Sequence, residues 1–296
     1  MDFRRFCKLA VATASCAAFP LLSTACVVVS NGCSGWNHAQ SDTVARNATV
    51  EGGSKLVVDT RNGRLSATQD ASLKEMQITA QVRCSAPTQE EADQRVKDTA
   101  LVATKEADGT VRVSVKFPPL KSGEANSPSD AASVEVRAPA LTDIDLNTSN
   151  GRIEVSGFAA TLKGRTSNGQ IKVEHVAGPV DLSTSNGSVH AKEVGAPASI
   201  DTSNGSVEVA LAAGQTGAVD IRTSNGSVTL DLPAGWNGAV TAGTSNGKVT
   251  IEAPGAKSVS TERGRGTAVL GTGEGATAKI RSSNGSVRVK AADAAK

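Results

Sequence analysis

One tetrapeptide sets the terms for this chain. TSNG occupies residues 148–151, 166–169, 184–187, 202–205, 223–226 and 244–247, and it returns as SSNG at 282–285. The motif glycines lie 18 residues apart three times, 21 apart twice and then 38 apart, and the long gap holds one degenerate unit at 261–270. A fixed period near 20 residues is the signature of stacked repeats, in which each unit buries its apolar face against its neighbours.

The residues around each motif alternate with a period of two. After the glycine the second and fourth residues are apolar, as in Ile153 and Val155, Ile171 and Val173, or Val287 and Val289. Before it, residues three, five and seven places upstream share a face, as in Thr148, Leu146 and Ile144 or Thr223, Ile221 and Val219. Each unit is therefore two short strands flanking a corner. Asn followed by Gly readily supplies the positive φ of a tight reversal, which admits a meander or sandwich of hairpins. Hairpins, however, need no identity between successive turns, whereas stacked corners reward it. The preferred reading is an all-β fold, a β-solenoid of coils of about 18–21 residues. In it Asn150, Asn168, Asn186, Asn204, Asn225, Asn246 and Asn284 form an inward amide ladder at one strand spacing, ~4.8 Å, and the motif Thr stacks likewise. Asn284, last in sequence, is expected at an end of the ladder.

Charges on the outer face fit that stacking. Six residues before the motif glycine come Asp145, Lys163, Asp181, Ser199 and Asp220; three after it come Glu154, Lys172, His190 and Glu208. Opposite or neutral groups are interleaved, as cross-strand neighbours require.

The first part of the chain reads differently. Arg4, Arg5 and Lys8 precede an apolar stretch over 9–22 and small residues at 23–25, the pattern of a signal peptide over 1–25. "LLSTAC" resembles a bacterial lipobox, with Cys26 as the lipidated first residue, although Leu22 stands one place too far upstream. Cys7 and Cys16 leave with the signal, so Cys26, Cys33 and Cys84 remain. Lipidation of Cys26 leaves Cys33 and Cys84 as one disulfide in an oxidising compartment. Residues 26–50 are polar and read as a tether, 51–140 as an N-terminal β region, and 141–296 as the TSNG solenoid. Within 51–140, "RNG" at 61–63 looks like a worn copy of the motif. A helix is expected near 88–105, opened by a capping box of Thr88 and Glu91 and carrying Ala92, Val96 and Ala100 on one face.

The function classes narrow with composition. A net charge of +2, from 31 basic and 29 acidic residues, offers no footprint for nucleic acid. No CxxC pair exists and His38, His175 and His190 are scattered, so no metal site or cofactor is expected. Polysaccharide lyases and glycosidases use clustered carboxylates, and sugar grooves add aromatic platforms. Here carboxylates are dispersed, Tyr is absent, and Phe158 and Trp236 are the only rings in the repeats, so no catalytic residue is assigned. The NGS sequences at Asn186, Asn204, Asn225 and Asn284 follow from a repeated Asn-Gly corner before Ser. "GTGEG" at 271–275 lacks the Lys-Ser/Thr ending of a phosphate loop and reads as a turn. "ERGRG" at 262–266 reads as a solvated turn, with an anion contact as the alternative.

"VEVRAPALTDIDLNTSNGRIEVSG", the recurring TSNG-x-V-x-V units and the ending "ERGRGTAVLGTGEGATAKIRSSNGSVRV" resemble the bacterial putative-adhesin family, a β-strand-repeat envelope domain of unknown function, over residues 50–292. The resemblance implies a right-handed solenoid and carries no catalytic residues. The expected function is an exported, lipid-anchored structural or adhesin-like binding module at the cell envelope. Its partner would be an envelope or surface polymer or protein, with the membrane reached through the lipid. The alternatives are an envelope-stress or signalling accessory and, third, a polysaccharide-processing enzyme.

Overall fold

The alternation on either side of each TSNG becomes two facing sheets. A computed structural model describes residues 39–292 of the chain apart from 52, 120–128 and 196. Each coil sends one strand into a 12-stranded sheet and the next into an 11-stranded sheet, with the corner between them. In the Asn150 coil these are Asp143–Asn150 and Ile153–Ser156. The next coil, Thr161–Thr166 and Ile171–Val176, runs parallel to it, with Asp145 opposite Lys163 and Ile153 opposite Ile171. Adjacent hairpin strands would be antiparallel. The fold is an all-β solenoid, and the meander is excluded.

Aliphatic side chains from both sheets meet in a thin core. Ile144, Leu146, Ile153, Val155, Leu162, Ile171 and Val173 are all buried, and the pattern recurs coil by coil. Each such residue stabilises the fold by roughly 1.5–3 kcal/mol through removal from water. Much of that cover comes from neighbouring coils, so a coil excised from the stack would expose its core face. The outer rows keep the interleaving of charge: Asp145, Lys163, Asp181, Ser199 and Asp220 are successive register partners, as are Glu154, Lys172, His190 and Glu208.

The stacking order departs from the sequence order at the far end. Val219–Thr223 pairs with Ala276–Ser282, and Gly238–Thr244 lies beyond it. Likewise Val228–Leu232 pairs with Val287–Ala291, which in turn pairs with Val249–Glu252. The last coil is thus inserted between the Asn225 and Asn246 coils, and Asn284 is an interior position, not the end expected from sequence. Burial follows that order. Ala278, Ile280, Val287 and Val289 are fully covered, whereas Ile251 of the Asn246 coil is only partly so.

Residues 261–270 do not form a coil. Ser258–Glu262 and Arg265–Leu270 make an antiparallel hairpin that extends the 12-stranded sheet beyond Gly238–Thr244. The glycines of "GTGEG" do form the turn that follows, with Gly271, Gly273 and Gly275 at φ 61, 81 and 141°.

Three expectations for the N-terminal part are corrected. The stack does not begin at 141: Lys55–Asn62 and Leu65–Gln69 are a coil in register with the Asn150 coil. Nor is 26–50 a tether throughout, because Ala39–Gln40 and Val44–Glu51 are strands; the latter pairs antiparallel with Glu75–Arg83 and packs Val44, Ala48 and Val50 on the core. The helix is Gln89–Asp98, shorter than expected, with Thr88 accepting from the Glu91 N–H at 3.3 Å and Ala92 and Val96 buried. It ends at Thr99, which is extended, and Ala100–Lys105 becomes a strand against Thr110–Lys116. Cross-strand pairing of Leu101 with Val115 and of Ala103 with Val113 outcompetes another helical turn. The Arg46 guanidinium, donating to the Val96 carbonyl at 2.9 Å, holds the helix end to the sheet.

Candidate functional site

Every letter of TSNG is used by the stack. The motif Thr is the inward residue: Thr166, Thr184, Thr202 and Thr223 are buried, and each hydroxyl donates to the glycine carbonyl of the preceding coil at 3.0–3.1 Å. The Ser carbonyl accepts the Asn N–H of the next coil, as in Asn186 to Ser167 at 2.8 Å, so the backbone ladder continues through the corner. The Asn side chains form the expected ladder but on the exposed edge, not facing inward. Each Nδ2 donates to the Oδ1 below it at 2.7–2.9 Å from Asn150 through Asn168, Asn186, Asn204, Asn225 and Asn284 to Asn246. Asn62 of "RNG" extends the ladder by one place and donates to the Asp130 carbonyl.

The glycine is required by space. None of the seven motif glycines has positive φ, which corrects the Asn-Gly turn argument. A Cβ on Gly169 would instead overlap the carbonyl oxygen of Gly151, and the same clash recurs at Gly187, Gly205, Gly226 and Gly285. Positive φ among non-glycine residues occurs at His175 and Glu193, φ 54 and 50°, one strand later on the bend that Gly157 makes at φ 85°. Their side chains pair at 3.3 Å in solvent.

The other expected site residues are dispersed. Cys26 and Cys33 lie outside the described residues. Cys84 is a free cysteine with no exposed surface, its Sγ 3.4 Å from Thr99 Oγ1, and burial pushes its thiol pKa up. Phe158 and Trp236 are buried and offer no platform to a ligand. Among the described residues no three His, Cys, Asp or Glu side chains gather as metal ligands, and no helix is long and apolar enough to cross a membrane.

One concavity was missed from sequence. A groove of about 700 Å³ lies over the 12-stranded sheet where the last coil is inserted, and Arg222, Arg265 and Arg281 line it. Insertion sets Arg281 directly beside Arg222, then Gly243, then Arg265. Among the parallel strand pairs described, this is the one register of two full charges of the same sign. Like charges so placed repel. Arg222 is neutralised by Asp220, whereas Arg281 and Arg265 have no hydrogen-bond or ion-pair partner among the described residues. Ser224, Ser283 and Ser245, one row nearer the corners, line the same groove. The only sequence signal was "ERGRG", which contains Arg265; nothing in the linear order joins Arg222 to Arg281.

Residues 54–290 match the model of the family described as Toastrack DUF4097. No curated protein matches the chain. Solved structures similar to it include a putative cell adhesion protein from Clostridium sporogenes, 13% identical with TM-score 0.37, covering 85% of this chain and 100% of that one. A putative adhesin from Bacteroides fragilis is 14% identical with TM-score 0.40, covering 85% and 97%. Another from Parabacteroides distasonis is 10% identical with TM-score 0.36, covering 85% and 98%.

Proposed function

The chain belongs to the Toastrack DUF4097 family, and from that premise we propose that it is an exported, lipid-anchored binding module of the bacterial cell envelope, not an enzyme. The observation that carries this reading is the consumption of the motif by the fold. Thr, Asn and Gly are engaged from coil to coil, so the repeats build a stiff ladder and leave its outer faces to meet a partner. Dispersed carboxylates on those faces suit recognition better than acid–base chemistry, which needs clustered, perturbed groups. The signal-like segment and Cys26 supply the route to the envelope, with several acyl chains needed for firm anchoring. The partner is an envelope or surface polymer or protein.

Fractionation and capture test the proposal. The native chain should sediment with membranes and Cys26→Ser should release it. The released chain should retain specific envelope material on a column. A wholly soluble native chain refutes the anchor, and a column that retains nothing above an unrelated β-protein refutes the binding role.

A further inference from the structure

We infer that the groove formed by Arg222, Arg281 and Arg265 binds anionic groups carried on an extended saccharide. This rests on the binding role proposed above and names its ligand chemistry. Arg222 is paired with Asp220, but Arg281 beside it at one strand spacing, ~4.8 Å, and Arg265 beyond it have no carboxylate partner, and guanidinium groups grip carboxylate, sulfate or phosphate oxygens in pairs. Gly243 places no side chain between Arg281 and Arg265, which leaves room for the ligand between the two unpartnered cations. The exposed hydroxyls of Ser224, Ser283 and Ser245 add donors and acceptors suited to sugar hydroxyls.

The surroundings select against other anionic partners. Asp201 flanks Arg222 at one end of the row and Glu262 flanks Arg265 at the other. These carboxylates, of which Asp201 lines the groove, bound the arginine row at about three strand spacings, roughly 14 Å, a length that suits a few discretely spaced anions on a narrow chain better than the continuous charge of a flat anionic membrane. A peptide would find no free sheet edge in the groove, because Val219–Thr223, Ala276–Ser282 and Gly238–Thr244 are each paired on both sides. It would also find no exposed ring or large aliphatic side chain among the lining residues. A volume of about 700 Å³ is in the range that holds a small-molecule-sized ligand, here a short run of sugar units.

Immobilised dextran sulfate, polygalacturonate and neutral dextran test the inference, with the full chain purified in mild detergent. The chain should bind one or both charged polymers and not dextran, and binding should weaken as salt is raised. Arg281→Ala should reduce it by about tenfold or more, the loss expected for charged hydrogen bonds. Arg165→Ala, which removes an equal charge from the same row farther down the stack, should change it less than about twofold. A thermal melt without polymer adds a second readout: Arg281→Ala should melt close to the parent temperature, because the Arg281 side chain makes no hydrogen bond or ion pair that the fold would lose. Equal losses in the two variants would mean bulk charge and overturn the site. Retention of envelope material with no binding to either charged polymer would also overturn it while leaving the binding role standing; failure of both assays removes both.

Discussion

Asn284 donates its side-chain amide to Asn225 at 2.8 Å across 59 residues of sequence, and Asn246, which precedes it in the chain, donates to Asn284 from the other side. The ladder therefore follows the order of the coils in space. Asn246 stands at its end with one amide neighbour, and Asn284 has two.

Loss of an amide should track that order. Asn186→Ala, Asn204→Ala and Asn284→Ala should each lower stability by about 0.5–1.5 kcal/mol, the range for a net hydrogen bond, since the ladder is solvent-exposed and water can replace part of it. Asn246→Ala should cost less. Urea denaturation of the four variants checks this; if Asn284→Ala were the mildest, the last coil would be at the end of the stack after all.

The glycine rows should be far less tolerant. Gly187→Ala forces a Cβ into the main-chain carbonyl of Gly169, with the Thr184 hydroxyl 3.0 Å away, so a loss of about 3 kcal/mol or more is expected. Gly214→Ala is the contrasting case. Gly214 has φ 76°, and a Cβ added there would meet nothing within 4 Å, so only the backbone preference is lost, about 1–2 kcal/mol. Equal midpoints for the two variants would contradict the steric account.

His175 and Glu193 should respond in the opposite direction. Both hold the left-handed conformation that Gly157 adopts at the equivalent place one and two coils earlier. Replacing either by Gly relieves roughly 1 kcal/mol of strain, while the exposed ion pair between them contributes a few tenths of that at most. His175→Gly and Glu193→Gly are expected to raise the melting temperature, and a fall in both would show that the bend is not strained.

Cys84 gives a chemical test of the core. Its thiol is buried against Thr99, so it should resist a thiol reagent in the folded chain and react once the chain is unfolded without reductant. Absence of that thiol even in denaturant would establish the Cys33–Cys84 bond expected from cysteine counting.

The sequence by itself determined what is local to a coil. Period, corner position, the alternation that buries Ile144, Leu146 and Thr148, and the opposition of Asp145 to Lys163 all follow from strand geometry repeated at a fixed interval. The capping box of Thr88 was legible for the same reason, whereas the end of that helix was not, because the pairing of Leu101 with Val115 joins segments that do not predict each other. Tertiary structure decided which coil lies beside which. TSNG coils present nearly identical faces, so any of them could follow Asn225, and it is the pairing of Val219–Thr223 with Ala276–Ser282 that gives the place to the coil of Asn284. The Thr hydroxyl, not the Asn amide, faces inward because the corner turns before the third residue of the motif. The juxtaposition of Arg222 and Arg281 depends wholly on the insertion, since contact between two outward side chains is set by the neighbour that wins the stacking competition and not by distance along the chain.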